Sequence, residues 1–150
     1  MLTRITVPLL AAAVIIFACG PHARSGDNST HAASKKNVGV VSTLNVDASD
    51  NDVHFSLAVQ NGTNKQVELA FPDGRTHDFV VLDESGKEVW RWSEKHMFTQ
   101  SVQNRLVDSR DSVVYDERWK APKGAGKFTV VAVLNSKNYP IEKRVDFALP

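Results

Sequence analysis

From Val38 to the C-terminus, apolar side chains recur at every second position, the period of a strand with one face in a core and one in water. Val38, Val40 and Val41 open a strand that runs toward Val46. Val53, Phe55, Leu57 and Val59 then alternate with Asp52, His54, Ser56, Ala58 and Gln60. Asn61-Gly62 follows, a pair that tolerates positive φ and is expected to make a hairpin turn. Val67, Leu69 and Phe71 alternate again and stop at Pro72-Asp73-Gly74. Phe79-Val80-Val81-Leu82 is unbroken, which predicts a central strand covered on both faces. Val89 to Trp92, Val113 to Trp119, Phe128 to Leu134 and Ile141 to Leu149 complete the set. Between them, Glu94 to Leu106 fits neither the strand nor the helix period and is expected to be loop plus a short strand. Seven to nine short strands, joined by Gly, Asp and Asn turns and without an amphipathic helix, predict an all-β, antiparallel β-sandwich.

The pattern before Val38 is of another kind. Arg4 precedes a short apolar core, Leu9 to Phe17, which ends at Ala18-Cys19. A run of that length falls short of the roughly 20 residues that span a membrane and fits a secretory h-region with its cleavage site. Cys19 is the only cysteine of the 150-residue chain, so no disulfide can form within a monomer. Its placement resembles a bacterial lipobox, in which the thiol is lipidated and becomes the first mature residue. One acyl chain holds a membrane only marginally, at about 0.8 kcal/mol per buried methylene, and several anchor it stably. Residues 1–18 are thus expected to be a lipoprotein signal peptide, residues 19–37 a lipidated N-terminus and tether, and residues 38–150 the folded domain. The tether is small and polar and cannot offset its ordering entropy; as a coil it spans roughly 20–25 Å. Its His22 and His31 read as solvated. The expected address is the bacterial cell envelope, facing the periplasm. Gly20, where an Asp would favour retention at the inner membrane, leans toward the outer membrane.

Charge changes little in this picture. The chain carries 18 Lys+Arg against 17 Asp+Glu, and loss of Arg4 with the leader leaves 17 against 17. Nothing basic argues for nucleic acid. The common catalytic and cofactor constellations are absent: no Gly-x-Ser-x-Gly elbow, no phosphate loop, no His-Glu-x-x-His and no Cys-x-x-Cys. Asp47, Asp50 and Asp52 resemble the opening of a calcium loop, but Ala58 stands where the distal carboxylate belongs, so they read as a solvated acidic turn. His77-Asp78 could orient an imidazole, yet neighbours in a strand point to opposite faces, and His77 reads as an ordinary strand-edge histidine. Trp90 and Trp92 share one face. Exposed, they would make a stacking platform; among so many short strands they are expected in the core. No enzyme, cofactor or metal site is expected.

The run Arg75-Thr76-His77-Asp78-Phe79-Val80-Val81-Leu82-Asp83-Glu84-Ser85-Gly86-Lys87-Glu88-Val89-Trp90-Arg91-Trp92-Ser93 resembles the signature of the intracellular proteinase inhibitor (BsuPI) family. Met97-Phe98-Thr99-Gln100, Trp119 and Pro122-x-Gly124-x-Gly126-x-Phe128-Thr129-Val130 continue the similarity, as do the alternating stretches upstream. The resemblance covers about residues 50–135. It implies an immunoglobulin-like sandwich that binds a serine protease without catalysis. Two departures stand out: this chain has an export signal, and Val107-Asp108-Ser109-Arg110-Asp111 replaces the family's tidier turn.

Two function classes follow. One is a lipid-anchored module that binds and inhibits a serine protease. Its candidate partner-binding loops are residues 72–76 (Pro72, Asp73, Gly74, Arg75), residues 93–98 (Lys95, His96, Met97, Phe98) and residues 121–126 (Pro122, Lys123, Gly124). Only the middle one offers a large apolar side chain, Met97 or Phe98, for a subtilisin-like pocket. The other class is a non-inhibitory envelope module that binds a protein or cell-wall polymer, with an exposed edge strand as one means.

Overall fold

The computed structural model describes residues 39–124 and 126–150. The signal peptide, Cys19, the tether with His22 and His31, Val38 and Ala125 lie outside the described residues. Nine strands follow in order: β1 Val40–Ser49, β2 Asp52–Asn61, β3 Val67–Phe71, β4 His77–Asp83, β5 Glu88–Arg91, β6 Gln103–Val107, β7 Ser112–Lys120, β8 Gly126–Leu134 and β9 Ile141–Leu149. A single 3-10 turn, Trp92–Lys95, separates β5 from β6. All pairings are antiparallel. One layer has the order β1-β2-β7, continued by β3-β6, and the other has the order β5-β4-β8-β9.

The period-two pattern sorts side chains as expected. Val53, Phe55, Leu57 and Val59 face inward from β2, while β4 is buried over His77 to Val81, as a central strand should be. The layers meet through rings: Phe55 stacks on Phe79 at 5.8 Å and meets Trp90 and Phe147, each at 5.9 Å. Trp119 joins from β7, 5.3 Å from Phe128. Fully burying a side chain of this size contributes about 1.5–3 kcal/mol, so these rings supply much of the packing in a domain without disulfides. Trp90 and Trp92 are half-buried against this core, as expected.

Asn61-Gly62 departs from the expected hairpin turn. Neither residue has positive φ, and β2 and β3 are not paired. Instead the β2–β7 ladder bends into the β3–β6 ladder: Gln60 lies opposite Ser112, and beyond the bend Val67 lies opposite Val107. Asn61 plugs the bend with its buried side chain. Its Nδ2 donates to the carbonyl oxygens of Lys65 (2.7 Å), Val107 (3.0 Å) and Asp108 (3.0 Å). Its Oδ1 accepts from the backbone N–H and hydroxyl of Thr63. An amide side chain has both donors and an acceptor and can satisfy both strands of the bend; a glycine-type turn is not required.

The loops at the two ends follow from the direction of β4. His77 pairs with Leu134 and Asp83 with Phe128, so the loop before β4 lies at one end of the sandwich and the loop before β8 at the other. Seven residues of strand, at about 3.3 Å each, put roughly 20 Å between them.

Candidate functional site

The end at which β4 begins gathers two of the three expected loops. The Gly74 N–H donates to the Thr99 carbonyl at 2.9 Å, which joins residues 72–76 to the segment after the 3-10 turn. A Cβ on Gly74 would stand 3.0 Å from the Thr99 nitrogen and hydroxyl oxygen, so the approach depends on glycine. Asp73 Oδ1 accepts from the Arg75 N–H at 2.8 Å, and Asn135 fastens the Arg75 and Thr76 carbonyls from the β8–β9 loop. Pro122, Lys123 and Gly124 are exposed at the opposite end, where the Ala121 N–H donates to the Asn51 carbonyl. They share no site with the other two loops.

Asp78 holds the base of the 93–99 segment. Only 4% exposed, its carboxylate accepts from the Ser93 N–H (3.1 Å), the Ser93 hydroxyl (2.6 Å) and Arg91 Nη1 (3.1 Å). Arg91 also grips Glu88 with two hydrogen bonds. Glu88 first, and Asp78 after it, hold the guanidinium still more firmly protonated than usual. A buried carboxylate is tolerated only when paired and hydrogen-bonded, and here its partners are the loop itself.

On the other face of β4, His77 begins a column of stacked rings. Strand alternation does send the two neighbouring side chains apart, as expected, but His77 is no edge residue. It starts a central strand and is 8% exposed. Trp92 stacks on it at 4.3 Å and Tyr115 lies against it at 4.6 Å. His77 Nε2 is 3.2 Å from Glu117 Oε1, and Nδ1 is 3.1 Å from the Thr76 hydroxyl. A carboxylate only accepts, so Nε2 carries the hydrogen, and in the neutral ring Nδ1 accepts from Thr76. Burial pushes the imidazole below its ordinary pKa, against the pull of Glu117. Tyr115 carries the Arg105 guanidinium over its ring at 5.9 Å. Burial raises the Tyr115 phenol above its ordinary range.

Trp92 is the centre of the exposed end of this column. His96 stacks on it at 4.4 Å and Phe98 packs against it at 5.5 Å; His96 Nδ1 donates to the Trp92 carbonyl at 2.7 Å. His96 has extended backbone, φ −120° and ψ 144°. Met97, between two residues pinned to one indole, is fully exposed. Of the other residues expected in these two loops, Pro72, Arg75 and Lys95 are exposed, and Asp73 and Gly74 half-buried.

Elsewhere, Asp47 and Asp50 are exposed, with Asp50 at positive φ in the β1–β2 turn, while Asp52 pairs with Lys120 at 2.8 Å. His54 faces Asp116 at 3.4 Å. Among the described residues no group of three or more His, Cys, Asp or Glu side chains could hold a metal ion, and no helix is long and apolar enough to cross a membrane. The exposed large apolar side chains of the described residues are Val41, Val89, Met97, Val102, Leu106 and Val114; none is an aromatic ring for stacking sugars.

The family model for the intracellular proteinase inhibitor, BsuPI, matches residues 40–139. The chain belongs to the BsuPI family. The match runs from the first residue of β1 through the loop before β9, so both joined loops and the Trp92 column lie inside the BsuPI domain. No curated protein matches the chain. Among solved structures, it is similar to a penta-heme cytochrome c552 from Thermochromatium tepidum, with 8% identity, 74% of this chain and 40% of that chain covered, and a TM-score of 0.44. It is also similar to a DUF1425 family member from Shewanella sp. pv-4, with 9% identity, 74% and 75% covered, and a TM-score of 0.35. The chain thus spans less than half the length of the cytochrome.

Sequence reasoning named Met97 and its neighbours but missed Asp78, Ser93, Thr99 and Trp92 as the parts that hold them. A signal for Asp78 was present: a carboxylate inside a run of buried strand residues needs dedicated partners.

Proposed function

We propose that this is a lipid-anchored envelope protein whose BsuPI domain binds a serine protease and inhibits it with the end formed by residues 72–76 and 93–99. The family supplies the inhibitor class, which is non-catalytic. One observation carries the choice of surface. The 93–99 segment is hydrogen-bonded at both ends, to Asp78 and to Gly74; between them it leaves the 3-10 turn at His96 in extended backbone and presents Met97 fully exposed. A loop already held in its bound shape loses little entropy on docking, and a fixed loop is a poor fit to the motions that cleavage and release require.

Cys19 is the proposed lipid site, with residues 20–37 as the spacer to a domain facing the periplasm from the outer membrane. Titrating the full chain, purified in detergent, against subtilisin tests the inhibitory reading: activity should fall linearly to zero near one equivalent. Activity that persists at excess chain, or a chain rapidly nicked within residues 93–99, defeats it. Palmitate labelling of cells that express the wild type and Cys19→Ser tests the anchor; label on both proteins defeats that part.

A further inference from the structure

We propose that Met97 is the side chain that enters the primary specificity pocket of the partner protease, and that the partner is therefore a serine protease with a deep apolar pocket. This rests on the protease-binding reading above and adds to it which residue is read and what class of enzyme reads it.

Four features of the loop select Met97. Lys95 and Glu94 lie in the 3-10 turn, whose tight helical backbone cannot lie extended in a cleft. His96 is stacked on Trp92 and hydrogen-bonded to its carbonyl, and Phe98 rests on the same indole. In extended backbone successive side chains alternate, so pinning 96 and 98 to one side directs 97 to the other. Met97 alone among these is both fully exposed and apolar. Phe98, the other large apolar residue, is half-buried against Trp92 and would have to abandon that packing to be read.

The chemistry of the side chain then sets the pocket. Met is unbranched and uncharged, with three rotatable bonds and a polarizable sulfur, so it can thread a long apolar slot. It offers nothing to a carboxylate at the base of a trypsin-type pocket, and it is too long for the shallow pocket of an elastase type. Moving a Met side chain from water into an apolar pocket corresponds to roughly a 10- to 100-fold gain in affinity.

The test is inhibition by the full chain of four proteases: subtilisin and chymotrypsin with apolar pockets, trypsin with an acidic pocket, and elastase with a small one. Wild type should inhibit the first two and spare the others. Met97→Ala should weaken that inhibition about 10- to 100-fold, and Met97→Lys should abolish it while creating inhibition of trypsin. Circular dichroism of each variant should be unchanged, since Met97 contacts solvent. If wild type inhibits subtilisin or chymotrypsin and neither substitution changes the inhibition, the assignment of Met97 is overturned and protease binding by another surface stands. If wild type inhibits none of the four and none cleaves it at the Met97–Phe98 bond, both fall. Cleavage at the Met97–Phe98 bond without lasting inhibition would uphold the pocket assignment and overturn the inhibitory reading.

Discussion

Asp78→Ala should cost about 3 kcal/mol of stability and release the base of the 93–99 loop. The carboxylate is 4% exposed and receives three hydrogen bonds. Hydrogen bonds to a charged group contribute about 1.5–3 kcal/mol each, and breaking a buried ion pair costs about 3–5 kcal/mol. Two features lower the total. Arg91 keeps both bonds to Glu88, and Ser93 is half-buried, so water can reach its freed donors. Asp78→Asn keeps the shape and one acceptor oxygen but loses the charge, and about half the cost is expected. Urea unfolding with an unchanged m-value reads the global term. Amide exchange at Ser93 reads the local one, and should accelerate strongly in the alanine variant. A loss below about 1 kcal/mol, with Ser93 exchange as in the wild type, would refute the claim that Asp78 locks the loop.

Other predictions concern the bend and the ring column. Asn61→Ala removes the side-chain donor to the Val107 carbonyl and the acceptor of the Thr63 N–H at the bend, while the Thr63 hydroxyl still donates to the exposed Lys65 carbonyl; at about 1–3 kcal/mol per unsatisfied group, the loss should be about 2 kcal/mol in the same unfolding assay. His77 is held neutral by burial, with Glu117, Asp78, His96 and, through Tyr115, Arg105 as the charged or titratable groups around it. Its folded pKa lies below the unfolded value of about 6.5, so the unfolded chain takes up this proton first. Stability should be full above that pH and fall as pH drops through it. His77→Gln should flatten that part of the profile in unfolding measured from pH 8 to 5, and a profile identical to wild type would count against the burial argument.

The fold was legible where one periodicity mapped onto one face. Val53, Phe55, Leu57 and Val59 announced β2, and the unbroken Phe79 to Leu82 announced a strand covered on both sides, because in each the buried face is continuous and apolar. In β6 the same logic gave little, since only Val107 is buried there and Leu106 points to water. Asn61-Gly62 misled because a turn signal read from backbone tolerance overlooked what the asparagine side chain can bridge. The site was legible residue by residue but not as an assembly. Gly74 and Thr99 meet only because β3, β4 and β5 return the chain to one end, and the exclusion of Pro122, Lys123 and Gly124 depends on the antiparallel direction of β4 against β8. Trp92 read as core filler, and it does pack against the core. Its second task, holding His96 and Phe98 on one side of Met97, needs the extended backbone at His96, which no local pattern specified.

The central claim, that one end of the sandwich meets a protease, is tested most directly by hydrogen exchange of the full chain with and without active-site-blocked subtilisin. The account predicts slowed exchange confined to residues 72–76 and 93–99, with residues 121–126 unchanged. Protection at 121–126, protection spread along an outer sheet face, or no protection at a saturating concentration would contradict it.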